Sequence, residues 1–279
     1  MDKLLLIDGS NLLFQIFYGM SPKRVKGRDG KTVHGTLGFI GAVLKLLRLT
    51  NATHTAVVFA NENAAPKAEW AQDNCLGSVP NLLPDESPNS QLPDILRTLK
   101  KLNICTICLD VADASNSIAS YAKGYQELAE VIIASFDSRF FQLIDSNIGV
   151  LRYRGEHTFI ATPKAFFEKY GIRPEQYPDF KALVGDRAYG FIGAESVKEK
   201  TAVLLLNRLS SLDAICSIAP KITKIGLRES LTSNAERLLE NRNALLLTPY
   251  ATTPYSLVEL SYTPPKNTTQ EILKSLEIM

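Results

Sequence analysis

Apolar residues follow two rhythms along this chain of 279 residues. In the first half, short runs rich in Val, Ile and Leu occupy residues 3–8, 54–60, 104–109, 131–136 and 148–153. Both parities of these runs are apolar, as expected of strands covered on both faces, the usual state of a parallel sheet. Between them, residues 36–49, 92–102 and 115–128 repeat apolar positions at helical spacing. The alternation predicts βαβ units and therefore a mainly parallel sheet covered by helices, an α/β fold.

The rhythm changes after about residue 162. Thr162-Pro163 reads as a helix start, a hydroxyl cap followed by Pro at the first helical position. Helical patterns follow at 163–170, 174–184, 198–209, 212–218 and 230–243, then a short strand-like run at 256–260 and a terminal helix. Two regions are expected: an α/β core over 1–162 and a helical C-terminal region over 163–279. Residues 61–90 fit neither rhythm. They carry Pro66, Pro80, Pro84 and Pro88, and an irregular segment of that length in a compact domain is usually a functional or a disordered loop.

Charge narrows the function classes. Lys and Arg number 31 against 29 Asp and Glu, a net charge of +2, so any nucleic-acid footprint has to be local. The apolar run before Asp8 is too short for a signal-peptide core and no run approaches a membrane span, so a cytoplasmic protein is expected, with no membrane partner. Cys105 and Cys108 spell C-x-x-C inside a strand-like run, where positions three apart face opposite sides, and no second Cys/His pair follows at zinc spacing. They read as structural thiols. The histidines at 34, 54 and 157 have no ligand spacing.

The acids are more informative. Ligand sites in open α/β sheets lie at the carboxyl ends of the strands. Asp8 follows the first strand, Asp110 and Asp113 the third, and Asp137 the fourth. Each alone reads as a helix N-cap. Converging from neighbouring strands, they would supply the hard oxygen ligands that Mg²⁺ needs in phosphoryl-transfer chemistry.

These residues sit in segments similar to a known family. Leu6-Ile7-Asp8-Gly9-Ser10 with Leu12-Leu13-Phe14 and Phe17-Tyr18, then Gly35, Gly38 and Phe39, resemble the opening of the 5′→3′ exonuclease domain of bacterial DNA polymerase I. Ser135-Phe136-Asp137 with Phe141-Gln142-Leu143 looks like its aspartate motif. Tyr170-Gly171-Ile172, Pro174 to Tyr177, Asp179 to Leu183 and Gly185-Asp186 resemble the approach to its helix–hairpin–helix, which Lys200-Thr201-Ala202 closes. The likeness runs from residue 3 to about 245. It implies a 5′-nuclease (PIN-like) core, an arch-like loop at 61–90 and a helix–hairpin–helix at about 174–209. It also implies cleavage of 5′ ends, flaps or branched DNA with Mg²⁺ or Mn²⁺.

The chain departs from that pattern where the chemistry lies. Of the family's acids, Asp8, Asp113, Asp137 and Asp186 remain, the candidate metal ligands, with Asp8 and Asp137 the catalytic remnant. Ala60, Ser115, Asn116, Arg139 and Tyr189 stand where the family has further acids. Arg139 would place a permanent guanidinium among them, neutralising Asp8 or Asp137 in place of a cation. The Gly-Ile-Gly hairpin of the family is Ser196-Val197-Lys198 here, and the arch retains Lys67 and Trp70. Lys198 and Lys200 could still meet phosphates, as could Lys23, Arg24, Lys26, Arg28 and Lys31 in the loop after the first helix.

Three functions follow as expectations. The first is a degenerate 5′→3′ exonuclease or flap endonuclease of replication or repair type that binds DNA with cleavage lost or weak, holding no metal or one ion weakly. The second is a slow Mg²⁺-dependent 5′→3′ exonuclease. The third is a non-catalytic protein-interaction module, whose protein partner the sequence does not name.

Overall fold

The computed structural model describes residues 1–19, 25–27, 30, 32–60, 87–110, 114–154, 157–249 and 253–278. Lys23, Arg24, Arg28, Lys31, Lys67, Trp70 and Asp113 lie outside the described residues, as does most of the arch-like segment.

Six strands form one sheet: β1 (Asp2–Asp8), β2 (His54–Phe59), β3 (Cys105–Cys108), β4 (Ala129–Ala134), β5 (Ile148–Arg152) and β6 (Phe159–Ala161), in the order β3-β2-β1-β4-β5-β6. All pairings are parallel except β5 with β6. Strand β1 lies centrally, with Leu6 opposite Ala56 of β2 on one side and Ile133 of β4 on the other.

The side-chain alternation of β1 divides the core. Leu4 and Leu6 join an apolar cluster with α4 (Ser115–Tyr125) and the C-terminal helices. Leu5 and Ile7 point to the opposite face, against α2 (His34–Thr50) and α3 (Leu92–Lys101). Each of these four side chains is fully buried, and each contributes about 1.5–3 kcal/mol. Helix α1 (Gly9–Gly19) follows β1 with no intervening loop.

The helix start read at Thr162-Pro163 is present. Thr162 Oγ1 accepts a hydrogen bond from Ala165 N at 3.3 Å, Pro163 opens α5 (Pro163–Tyr170), and Gly171 ends it in the left-handed conformation at φ 68°. Next come α6 (Tyr177–Val184), α7 (Glu199–Leu209), α8 (Leu212–Ile218), α9 (Ile225–Ser233), α10 (Ala235–Leu245) and α11 (Thr269–Ser275).

Two expectations fail locally. The helical pattern of 230–243 is split between α9 and α10 at Asn234, whose side-chain amide turns back to the carbonyl of Ser230. The strand-like run at 256–260 is a 3₁₀ turn over Val258–Leu260. There the Glu259 carboxylate accepts from both the backbone N–H and the hydroxyl of Ser256, and this local box outweighs a five-residue alternation.

Candidate active site

Asp8 ends β1, and Ser135 to Asp137 leave the end of β4 beside it. The chain continues from β1 towards β2 and β3 on one side and returns to β4, β5 and β6 on the other. The β1/β4 boundary is therefore the topological switch point where such sheets open a crevice. Both acids are buried there.

A polar seam joins the two strand ends. Ser135 Oγ donates to Asp8 Oδ2 at 2.7 Å and accepts from Asp137 N at 3.0 Å. Asn11 N donates to Asp8 Oδ1 at 3.1 Å, and Asn11 Oδ1 accepts from Phe136 N at 3.1 Å. Sequence reasoning assigned no role to Asn11 or Ser135. The signal was available, since a short polar side chain beside each aspartate is what bridges two buried strand ends.

Asp137 carries the densest contacts. Its Oδ1 accepts from Arg139 N at 2.8 Å and from the Tyr189 hydroxyl at 2.7 Å. Its Oδ2 accepts from Arg139 Nε at 2.9 Å, Arg139 Nη2 at 2.6 Å and Ser115 Oγ at 3.2 Å. Arg139 Nη2 also donates to Ser115 Oγ at 2.7 Å, and its guanidinium lies 5.3 Å from the Tyr189 ring centroid. A carboxylate has about four lone-pair positions, so five contacts leave it saturated.

Ser115, Arg139 and Tyr189, three of the residues standing at acid positions of the resembled family, thus converge on one surviving acid. The other two turn elsewhere. Asn116 Oδ1 accepts from Thr248 N at 2.9 Å and ties the C-terminal segment to α4. Ala60 offers its backbone N–H to Ser10 Oγ at 3.0 Å.

Asp186 stands in the loop after α6. Gly185 precedes it at φ 89°, and a Cβ on Gly193 would lie 2.4 Å from the carbonyl of Leu183, so this loop needs glycine at both positions. Asp186 Oδ1 caps the following turn by accepting from Ala188 N at 3.0 Å, and Oδ2 pairs with Lys181 Nζ at 3.0 Å. Of the predicted phosphate contacts, Lys198 and Lys200 are exposed at the start of α7, and Lys26 is exposed in a bridge with Thr32.

These donors do not suit a two-ion centre. A divalent ion at Asp137 would have to displace a guanidinium carrying the same sign of charge. Among the described residues, no three carboxylate, imidazole or thiol groups come together around one point.

A parallel sheet with an acidic switch point, followed by a helical region, defines the class as a resolvase-like nuclease fold. The sequence profile described as "5'-3' exonuclease, N-terminal resolvase-like domain" matches residues 3–171, and that of "5'-3' exonuclease, C-terminal SAM fold" matches residues 172–268. The chain belongs to the 5′-3′ exonuclease family. It is 30% identical to the thermostable DNA polymerase I of Thermus thermophilus over 85% of this chain. Identity to DNA polymerase I of Mycobacterium tuberculosis is also 30%, over 91% of this chain. The chain spans 28% of the length of each of these relatives. Among solved structures it is similar to the zinc-bound T5 5′-exonuclease, with a TM-score of 0.68, 18% identity and coverage of 99% of both chains. It is also similar to the catalytic core of Rad2 in complex with DNA substrate, with a TM-score of 0.62, 14% identity and coverage of 98% of this chain and 86% of that one. At these identities the structural likeness speaks to the fold.

Proposed function

We propose that this protein binds DNA at 5′ ends, flaps or branch points in replication or repair, and that its metal-dependent phosphodiester cleavage is lost or weak. The observation that carries the reading is the Arg139–Asp137 pair, buried at the switch point with Nη2 to Oδ2 at 2.6 Å. The family's cleavage chemistry relies on carboxylates that gather divalent ions, which clamp the attacking and leaving oxygens of the phosphodiester. Here the guanidinium occupies the carboxylate, and Ser115 and Tyr189 add neutral donors where ligands would be needed. Family membership and the DNA-bound Rad2 neighbour support a DNA partner. Exposed Lys198 and Lys200 offer phosphate contacts whose strength falls steeply with salt.

The test is a labelled 5′-flap duplex incubated with Mg²⁺ or Mn²⁺, comparing the protein with its Asp8→Ala variant, while binding is followed by fluorescence anisotropy across ionic strength. Expected are salt-sensitive binding and no cleavage above that of the variant. Metal-dependent turnover that Asp8→Ala abolishes would overturn the loss of chemistry. Absence of DNA affinity at every ionic strength would overturn the DNA-binding reading.

A further inference from the structure

Arg152 ends β5 and turns beneath the Asp137 loop, with 9% of its surface exposed. Its Nη1 donates to the carbonyl of Phe136, and its guanidinium lies 4.5 Å from the Phe141 ring centroid and 5.7 Å from that of Phe136. Among the described residues its Nε has no hydrogen-bond partner and no ion pair to a carboxylate is formed, the Asp137 charge acting on it only from a distance. Burial pushes its pKa down, but a guanidinium stays charged. An unpaired charge at this depth is costly, and one carbonyl with two ring faces offsets only part of that cost.

Arg152 also lines a cavity of about 800 Å³ between the Asp137 loop and the C-terminal region. The volume lies within the range of small-ligand sites and well above what a bare inorganic anion fills. Lys181, Arg187 and Lys198 line it too, against Asp186 and Glu199. Asp186 is already paired with Lys181, so the remaining balance is positive. The rings of Tyr170 and Tyr177 complete an aromatic wall.

We propose that this cavity binds a nucleotide through its phosphate, with Arg152 as the buried anchor, Lys198 at the exposed rim and the aromatic wall receiving the base. An entering phosphate gives the guanidinium charge a counter-ion at the cavity wall, and aromatic side chains stack on any base. The same chemistry is offered by a free 5′-mononucleotide and by the 5′-phosphorylated terminal nucleotide of a strand. The proposal does not depend on cleavage, and a free mononucleotide needs no DNA-binding surface, so it can fail while the DNA-binding reading stands.

The test is calorimetric titration of the full chain with deoxyadenosine 5′-monophosphate and with deoxyadenosine, alongside competition by a single strand bearing a 5′-phosphate or a 5′-hydroxyl. Saturable binding of the monophosphate and none of the nucleoside is expected. Arg152→Met should weaken it on the order of 10- to 100-fold, as loss of a charge-assisted hydrogen bond does. Lys198→Ala, an exposed change that leaves the core intact, should weaken it by a smaller factor of about 3 to 10. Competition by the 5′-phosphorylated strand alone would identify the strand end as the source, and absence of competition would identify the free nucleotide. Thermal melting separates anchoring from a structural role: the monophosphate should raise the melting temperature of the wild type but not of Arg152→Met. No binding of either phosphorylated probe by the wild type overturns the proposal, as does unchanged affinity in Lys198→Ala together with unchanged affinity or failure to fold in Arg152→Met.

Discussion

Two buried charges at the carboxyl edge of the sheet have opposite surroundings. Asp137 accepts five hydrogen bonds, three of them from a single arginine residue, counting its backbone N–H. Arg152, on the neighbouring strand, donates to one carbonyl, forms no ion pair among the described residues and borders an open cavity. In this family the acids are where bound ions are expected, yet here the acid is closed by the chain's own groups. The cation next to it has one carbonyl and two ring faces and no ion pair among the described residues. Arg139 offsets the cost of burying Asp137 from within the chain. The cavity beside Arg152 is the place where a counter-ion would come from outside.

The sharpest way to break this contrast is to remove the internal partner. Arg139→Met keeps most of the side-chain volume but leaves Asp137 buried with two hydroxyls and one backbone N–H. Breaking one member of a buried pair costs about 3–5 kcal/mol, and urea unfolding should show a loss of that order. Combining it with Asp137→Asn should recover part of the loss, because no charge is then left alone. If Arg139→Met unfolds at the wild-type urea concentration, the pair does not stabilise the site.

A smaller effect is expected at Tyr189. Its hydroxyl donates to Asp137 Oδ1 at 2.7 Å and its ring lies beside the Arg139 guanidinium. Tyr189→Phe keeps the ring contact and deletes one hydrogen bond to a charged group, a loss of about 1.5–3 kcal/mol in urea unfolding. In the Arg139→Met background the same change should cost more, since Tyr189 would then be one of few remaining partners. Equal costs in both backgrounds would mean that the residues do not share the carboxylate.

Much of this arrangement was legible in the sequence, and the reasons differ by residue. Asp8 and Asp137 could be placed together because each ends an apolar run, and the strand order of such folds brings those ends to one crest. The neutralising role of Arg139 followed from its charge, but not its choice of acid. The structure pairs it with Asp137, two residues away on the same turn. Arg152 was invisible, because an arginine closing an apolar run looks like the solvated end of a strand. Its burial depends on Phe136 and Phe141 folding over it from another segment. Strand β6 was missed for a similar reason: Phe159 and Ile160 are exposed, and three residues carry no readable alternation.

The smallest effect belongs to an ion pair at the surface. Lys123 Nζ meets Asp145 Oδ2 at 2.8 Å with about a third of each side chain exposed, and Asp145 Oδ1 accepts from the backbone N–H groups of Asn147 and Ile148. Partial burial works to raise the pKa of Asp145, but the Lys123 hydrogen bond and charge and the two backbone donors outweigh it and hold the carboxyl below its ordinary value. A folded-state pKa depressed in this way contributes stability that is fully present above the unfolded value of about 3.9 and is lost as pH falls through the folded value. Solvent screening limits the contribution to below about 1 kcal/mol. The stability difference between wild type and Asp145→Asn should therefore be flat above about pH 5, shrink towards pH 2 and diminish with added salt. A difference unchanged across that range would assign the effect to the hydrogen-bond geometry alone, and the contrast between paired and unpaired charge would then apply only to the buried sites.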